Sequence, residues 1–169
     1  MKYLVGDIGN TSTKICILNN RFKILKSYIF ETSKFHNGNK LKKILRIKSN
    51  KDINPILLFS SVVPNIFKNI KKNITSKKNK VYEIKDLKLK RIIQINVHNK
   101  YQLGSDRIVN AIGVKKFKNC LVLDFGTATT FDVIKNGRYE GGVIAPGVKL
   151  SIKNLSQATA LLPLIKLNS

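Results

Sequence analysis

The chain has 169 residues, 43% of them hydrophobic, and a formal net charge of +23. That balance excludes a disordered or fibrous chain and suffices for one domain or two small lobes. No run approaches the ~18 apolar residues of a membrane span, and Gly6 and Asp7 cut the first apolar run too early for a signal peptide, so a cytoplasmic protein without membrane contact is expected.

The charge is carried by 27 lysines and five arginines, Arg21, Arg46, Arg91, Arg107 and Arg138. The lysines are dispersed rather than gathered with stacking aromatics, so they read as solvated faces and no specific nucleic-acid partner is expected. Cys16 and Cys120 lie in apolar runs with no second Cys or His at ligand spacing, which makes them core residues rather than metal ligands or a disulfide.

In chain order, Lys2 to Asp7, Thr13 to Leu18 and Phe22 to Phe30 predict an antiparallel meander, with turns at Gly9-Asn10 and Asn19-Asn20. A polar loop, Thr32 to Asn39, leads to a short helix on Leu41, Ile44, Leu45 and Lys48. Ile56 to Val63 reads as a buried strand, and Pro64 opens a helix whose Ile66, Phe67, Ile70 and Ile74 share a face. With a strand at Val81 to Ile84, this order makes an α/β lobe. Lys85 to Lys100, with a weak strand on Ile92, Ile93, Ile95 and Val97, reads as the connection between lobes, divided as 1–98 and 99–169.

The second half starts with Gly104-Ser105-Asp106-Arg107, opening a helix to about Lys118 with Ser105 as its cap. Cys120 to Asp124, Thr129 to Ile134 and Arg138 to Ile144 predict a second meander, with Asn136-Gly137 supplying a type I′ turn. A last helix runs from Val148 to about Leu161, and Pro163 ends it. Gly142 to Lys149 only superficially suggests a Walker loop, since no Ser or Thr follows Lys149 directly.

Leu121 to Thr130 reads as a strand breaking into a phosphate-binding turn, with Gly126 permitting the bend and hydroxyls and amides beyond it facing an anion. Leu4 to Thr13 repeats it, matching at Leu4/Leu121, Val5/Val122, Asp7/Asp124, Gly9/Gly126 and Thr13/Thr130. Of nine acids in the chain, Asp7, Asp106, Asp124 and Asp132 fall in or beside such glycine and hydroxyl segments. Two such turns suit a nucleotide clamped between two lobes, each aspartate holding a cation or its waters.

With Asp7-x-Gly9-Asn10-Thr11-x-x-Lys14, Gly104-Ser105-Asp106-Arg107, Asp124-Phe-Gly126-Thr127-Ala128-Thr129-Thr130-x-Asp132 and Gly141-Gly142-x-Ile144-x-Pro146-Gly147 in this order, the chain resembles the type III pantothenate kinases. The resemblance implies an α/β fold of two similar actin-like, ribonuclease H-like lobes, the second incomplete, as in acetate and sugar kinases. It implies ATP-dependent phosphorylation of pantothenate to 4'-phosphopantothenate, the first step of coenzyme A biosynthesis, by a homodimer. On it, Asp7, Ile8, Gly9, Asn10, Thr11, Ser12, Thr13 and Lys14 would hold ATP phosphates, with Asp7 near Mg2+, and Thr127 would contact ATP. Asp124 would bind a monovalent cation, K+ or NH4+. Gly104, Ser105, Asp106 and Arg107 would contact pantothenate, with Asp106 as the base.

The family pattern places a Tyr and a Pro where this chain has Val97 and Lys100, leaving Tyr101 as the substitute substrate contact. Family chains also continue past the segment matching Thr159 to Pro163 into a further strand and helix, which carry a substrate-contacting threonine and part of the dimer surface. Two alternatives follow from these departures: a non-catalytic nucleotide-binding regulator of the same fold, and a related kinase acting on another small hydroxyl substrate.

Overall fold

The computed structural model describes residues 2–34, 53–75 and 79–165. The chain divides into two compact units, Met1–Leu89 with Leu103–Val109, and Lys90–Gln102 with Asn110–Ser169.

The first unit is built on a five-stranded sheet of order β3-β2-β1-β4-β5. Strands β1 (Lys2–Ile8), β2 (Ser12–Leu18) and β3 (Ile24–Glu31) form the expected antiparallel meander. The bend after β2 is closed by Asn19, whose side-chain oxygen accepts from the amides of Arg21 at 2.9 Å and Lys23 at 3.0 Å. Strands β4 (Ile53–Ser61) and β5 (Lys80–Glu83) extend the sheet in parallel on the other side of β1. Helix α1 (Pro64–Ile74) starts on its proline and buries Ile66, Phe67, Ile70 and Ile74, the four positions its periodicity predicts.

These four side chains meet Leu4, Ile8, Ile15, Ile17, Leu57 and Phe59 in one apolar core. Gly6 is part of that packing, because the Phe59 ring occupies the space where a Cβ would stand. Burial of one such large side chain contributes about 1.5–3 kcal/mol, so the glycine makes room for a substantial share of the core. The helix expected on Leu41, Ile44, Leu45 and Lys48 lies outside the described residues.

The second unit holds a three-stranded antiparallel sheet, β6 (Cys120–Phe125), β7 (Ala128–Lys135) and β8 (Arg138–Pro146), again the expected meander. Asn136 and Gly137 both take positive φ, 52° and 71°, as a type I′ turn requires. By register, Leu121, Leu123 and Phe125 of β6 share a face with Val133 of β7 and Val143 of β8, and all five are exposed. Cys16 is buried, whereas Cys120 is only half-buried.

Several expected boundaries shift. Ile92 to Val97 is no strand: it makes one bridge, Ile95 to Tyr139, although Ile93 and Ile95 are buried. Helix α2 (Ser105–Gly113) stops five residues before Lys118, where Lys115 N and Phe117 N reach back only three residues, to Ile112 O and Val114 O. Helix α3 (Val148–Ala158) stops before Leu161, because Thr159 turns extended and its hydroxyl returns to the Leu155 carbonyl at 2.7 Å.

Candidate functional site

The turn between β1 and β2 is held from inside. Gly9 N donates to Ser12 O at 3.0 Å across the turn, and Thr32 N donates to Thr11 O at 2.9 Å. The Thr32 hydroxyl donates to Gly9 O at 2.8 Å. Its proton being committed there, the 2.9 Å contact between the Thr13 and Thr32 hydroxyls has Thr13 as donor. Thr13 and Thr32 are buried, so these bonds are shielded from water. Asp7, Asn10, Thr11, Ser12 and Lys14 are exposed around the turn. The side chains of Ile8 and Thr13 belong to the interior, leaving their main chain as what can face a ligand. Thr32 went unnoticed in the sequence because it lies 19 residues from Thr13 and in a stretch read as loop.

The same unit contains the start of α2. Val62 N donates to Ile8 O at 3.0 Å at the end of β1. A Cβ on Gly104 would sit 3.7 Å from Val62 Cγ1 and would collide with Asp106 Oδ1. The Asp106 carboxylate therefore lies over Gly104, on the side that Val62 approaches, and Oδ1 also accepts from Arg107 N at 2.8 Å. Asp106 is half-buried and Arg107 is 8% exposed, so neither is part of an exposed surface pair. The expected Ser105 cap is absent: Ser105 is itself the first helical residue, and its buried hydroxyl has no hydrogen-bond partner among the described residues. Tyr101, 94% exposed, sits in a single 3-10 turn, Lys100–Gln102, of the other unit, where its amide meets Asn99 Oδ1 at 3.1 Å.

In the second unit, the turn between β6 and β7 is closed by Gly126 N on Ala128 O at 3.0 Å and braced by Gly147 N on Thr127 O at 3.1 Å. Gly126 does not use a positive φ, and a Cβ there would make ordinary contact at 3.5 Å. The glycine this turn requires is Gly147, whose absent Cβ would collide with the carbonyl oxygens of Gly126 and Thr127. Asp124 and Thr127 are exposed, and Asp124 Oδ2 accepts from Asn110 Nδ2 at 2.8 Å. Asp132 differs from the other motif acids. It is fully buried, accepting from Tyr139 Oη at 2.7 Å and Thr130 Oγ1 at 3.4 Å, and so braces the sheet.

The two turns are equivalent, but with a one-residue offset. Asp7 pairs with Lys14 and Ile8 with Thr13, whereas Asp124 pairs with Thr130 and Phe125 with Thr129. The second turn is one residue shorter, so the structural counterpart of Thr13 is Thr129, correcting the ungapped match of Thr13 to Thr130.

These units are of the mixed α/β kind found in the actin-like ATPase and sugar kinase fold. The ethanolamine utilization protein EutJ from Carboxydothermus hydrogenoformans matches 94% of this chain and 57% of its own, with TM-score 0.56 and 10% identity. A protein assigned as a 2-dehydro-3-deoxygalactonokinase from Sinorhizobium meliloti matches 94% of this chain and 58% of its own, with TM-score 0.57 and 12% identity. Within that fold the sequence is more specific. The type III pantothenate kinase profile matches residues 3–169, and the chain belongs to that family. The type III pantothenate kinase of Pelagibacter ubique is 47% identical over 97% of this chain, and that of Fervidobacterium nodosum 34% identical over 96%. The chain spans 66% of the length of each of these relatives.

Proposed function

We propose that this protein transfers the γ-phosphoryl group of ATP to the primary hydroxyl of pantothenate, giving 4'-phosphopantothenate for coenzyme A synthesis. The observation that carries the reading is the juxtaposition in the first unit of the Asp7 to Lys14 turn with Asp106, linked through Val62 and Gly104. Phosphoryl transfer needs positioning and charge neutralisation more than covalent help from protein. Asp106, half-buried at the start of α2, accepts the proton of the attacking hydroxyl. Arg107, with Gly104 and Ser105, holds the anionic substrate.

The exposed residues of the first turn and the backbone of Ile8, Gly9 and Thr13 hold the phosphates. Among the described residues no group of three or more His, Cys, Asp or Glu could hold a metal. That fits Mg2+ bound through Asp7 together with phosphate and water oxygens rather than in a protein cage. When bound, Mg2+ supplies neutralisation of the phosphate charge. Asp124, exposed and anchored on one oxygen by Asn110, is suited to a monovalent cation, K+ or NH4+. The same reading carries a homodimer in the cytoplasm. Among the described residues no helix is long and apolar enough to cross a membrane.

The test is product formation. The purified chain with ATP, Mg2+, K+ and pantothenate is expected to give phosphopantothenate by mass spectrometry. No product, under conditions in which the Pelagibacter ubique relative is active, would remove the reading. Binding of ATP without binding of pantothenate would favour a non-catalytic protein instead.

A further inference from the structure

The register of the first sheet sets three chemically distinct residues side by side. Lys14 of β2 pairs with Asp7 of β1, and Asp7 pairs in parallel with Ser60 of β4. Paired positions on neighbouring strands point to the same face, at a strand spacing of about 4.8 Å. The result is a row of cation, carboxylate and hydroxyl across three strands, running from exposed Lys14 and Asp7 to Ser60, which is 7% exposed.

Ser60 Oγ is buried and has no hydrogen-bond partner among the described residues. Leaving a hydroxyl so is unfavourable, and an apolar residue of similar size would fit the strand better. The next serine shows the contrast: the Ser61 hydroxyl is engaged with Val63, donating to its carbonyl and accepting from its amide, both at 3.2 Å. Val62, two residues beyond Ser60 and so at most about 7 Å along the chain, touches the space of Gly104, over which Asp106 lies. Ser60 is thus paired with the carboxylate assigned to the cation, and Val62, two residues on, approaches the glycine over which the carboxylate assigned to proton transfer lies.

We propose that Ser60 is a further ligand-binding residue, its hydroxyl donating to an oxygen of the ligand held between Asp7 and Asp106. That oxygen belongs either to the phosphate and metal-water side or to pantothenate. The inference rests on the kinase reading for the identity of the ligands and on the register and burial of Ser60 for the contact.

Ser60→Ala and the shape-keeping Ser60→Cys test it, through the ligand-free melting temperature, calorimetric affinity for Mg-ATP, and kcat and KM for pantothenate. The ligand-free Tm should stay equal or rise in both, since no internal bond is lost. Binding of one ligand should weaken by about 3- to 10-fold, the size of one neutral hydrogen bond. A loss in Mg-ATP affinity assigns the oxygen to the phosphate side, and a raised KM for pantothenate assigns it to the acceptor. Wild-type binding and kinetics in both variants would overturn the proposal, as would a normal Ser60→Cys beside an impaired Ser60→Ala, because shape alone would then matter. A wild-type chain that binds Mg-ATP but forms no product removes the kinase reading, while calorimetry of the variants still decides on Ser60. A wild-type chain that binds neither ligand overturns both.

Discussion

Thr32, 23 residues along the chain, fastens the first turn from the interior, its hydroxyl donating to Gly9 O at 2.8 Å while that of Thr13 meets it at 2.9 Å. Thr32→Val keeps the shape but leaves a carbonyl and a buried hydroxyl without their partner. The expected cost is about 1–3 kcal/mol of stability in urea unfolding, with faster amide exchange at Gly9 and weaker Mg-ATP binding. An unchanged unfolding midpoint would mean that these bonds contribute nothing net.

Asp106→Asn retains an oxygen for the Arg107 amide but cannot take a proton. It should leave ATP affinity near wild type and lower kcat by about 10²- to 10⁴-fold. Asp7→Asn should instead weaken Mg-ATP binding along with turnover, since the phosphates lose the carboxylate that organises their cation. Normal turnover in a folded Asp106→Asn protein would send the search for the base elsewhere, and away from Asp132, which Tyr139 and Thr130 already engage in the interior.

The second turn should respond to its two glycines in opposite ways. Gly147→Ala drives a methyl group into the backbone of Gly126 and Thr127 and should cost about 1–3 kcal/mol by overpacking. Gly126→Ala meets only Ala128 O, at 3.5 Å, and should be tolerated. Thermal melts of the pair check this, and equal melting temperatures would contradict the packing described.

At the end of β3, the Lys34 ammonium at 2.6 Å and the Ser33 hydroxyl at 2.8 Å hold the Glu31 carboxyl below its ordinary pKa. Because the folded group keeps its charge to lower pH, its stabilising contribution is complete above the unfolded pKa and disappears as pH falls through the lowered folded value. The pair is exposed, so the effect is local to the 3-10 turn Thr32–Lys34 and shrinks with added salt. An NMR titration of the Glu31 side chain should give a midpoint lower than in a Lys34→Ala variant, and equal midpoints would contradict the contact.

The parts legible in the sequence are those whose cause is local. Helix α1 follows from Pro64 and the spacing of four apolar residues, the hairpin after β7 from Asn136-Gly137, and the start of α2 from one four-residue motif. Contacts that join distant segments were hidden. Thr32 looked like loop because Gly9 and Thr13 are 23 and 19 residues away. Ser60 was absorbed in an apolar strand, since only the parallel register with β1 puts it beside Asp7. The second turn's dependence on Gly147 rather than Gly126, and the missing residue that makes Thr129 the counterpart of Thr13, both require backbone geometry.

The exposed apolar face of the second sheet, set against a net charge of +23, has a consequence for the protein as a colloid. Repulsion between like-charged particles keeps them dispersed at low ionic strength, but the screening length falls from about 30 Å at 0.01 M salt to about 8 Å at 0.15 M. Contacts through Leu121, Leu123, Phe125, Val133 and Val143 then face a smaller barrier. Light scattering should show particle mass rising with salt, the reverse of an assembly held by ion pairs, and Leu123→Lys should blunt that rise. Dilute buffer, which leaves the repulsion unscreened, is for this chain the protective choice.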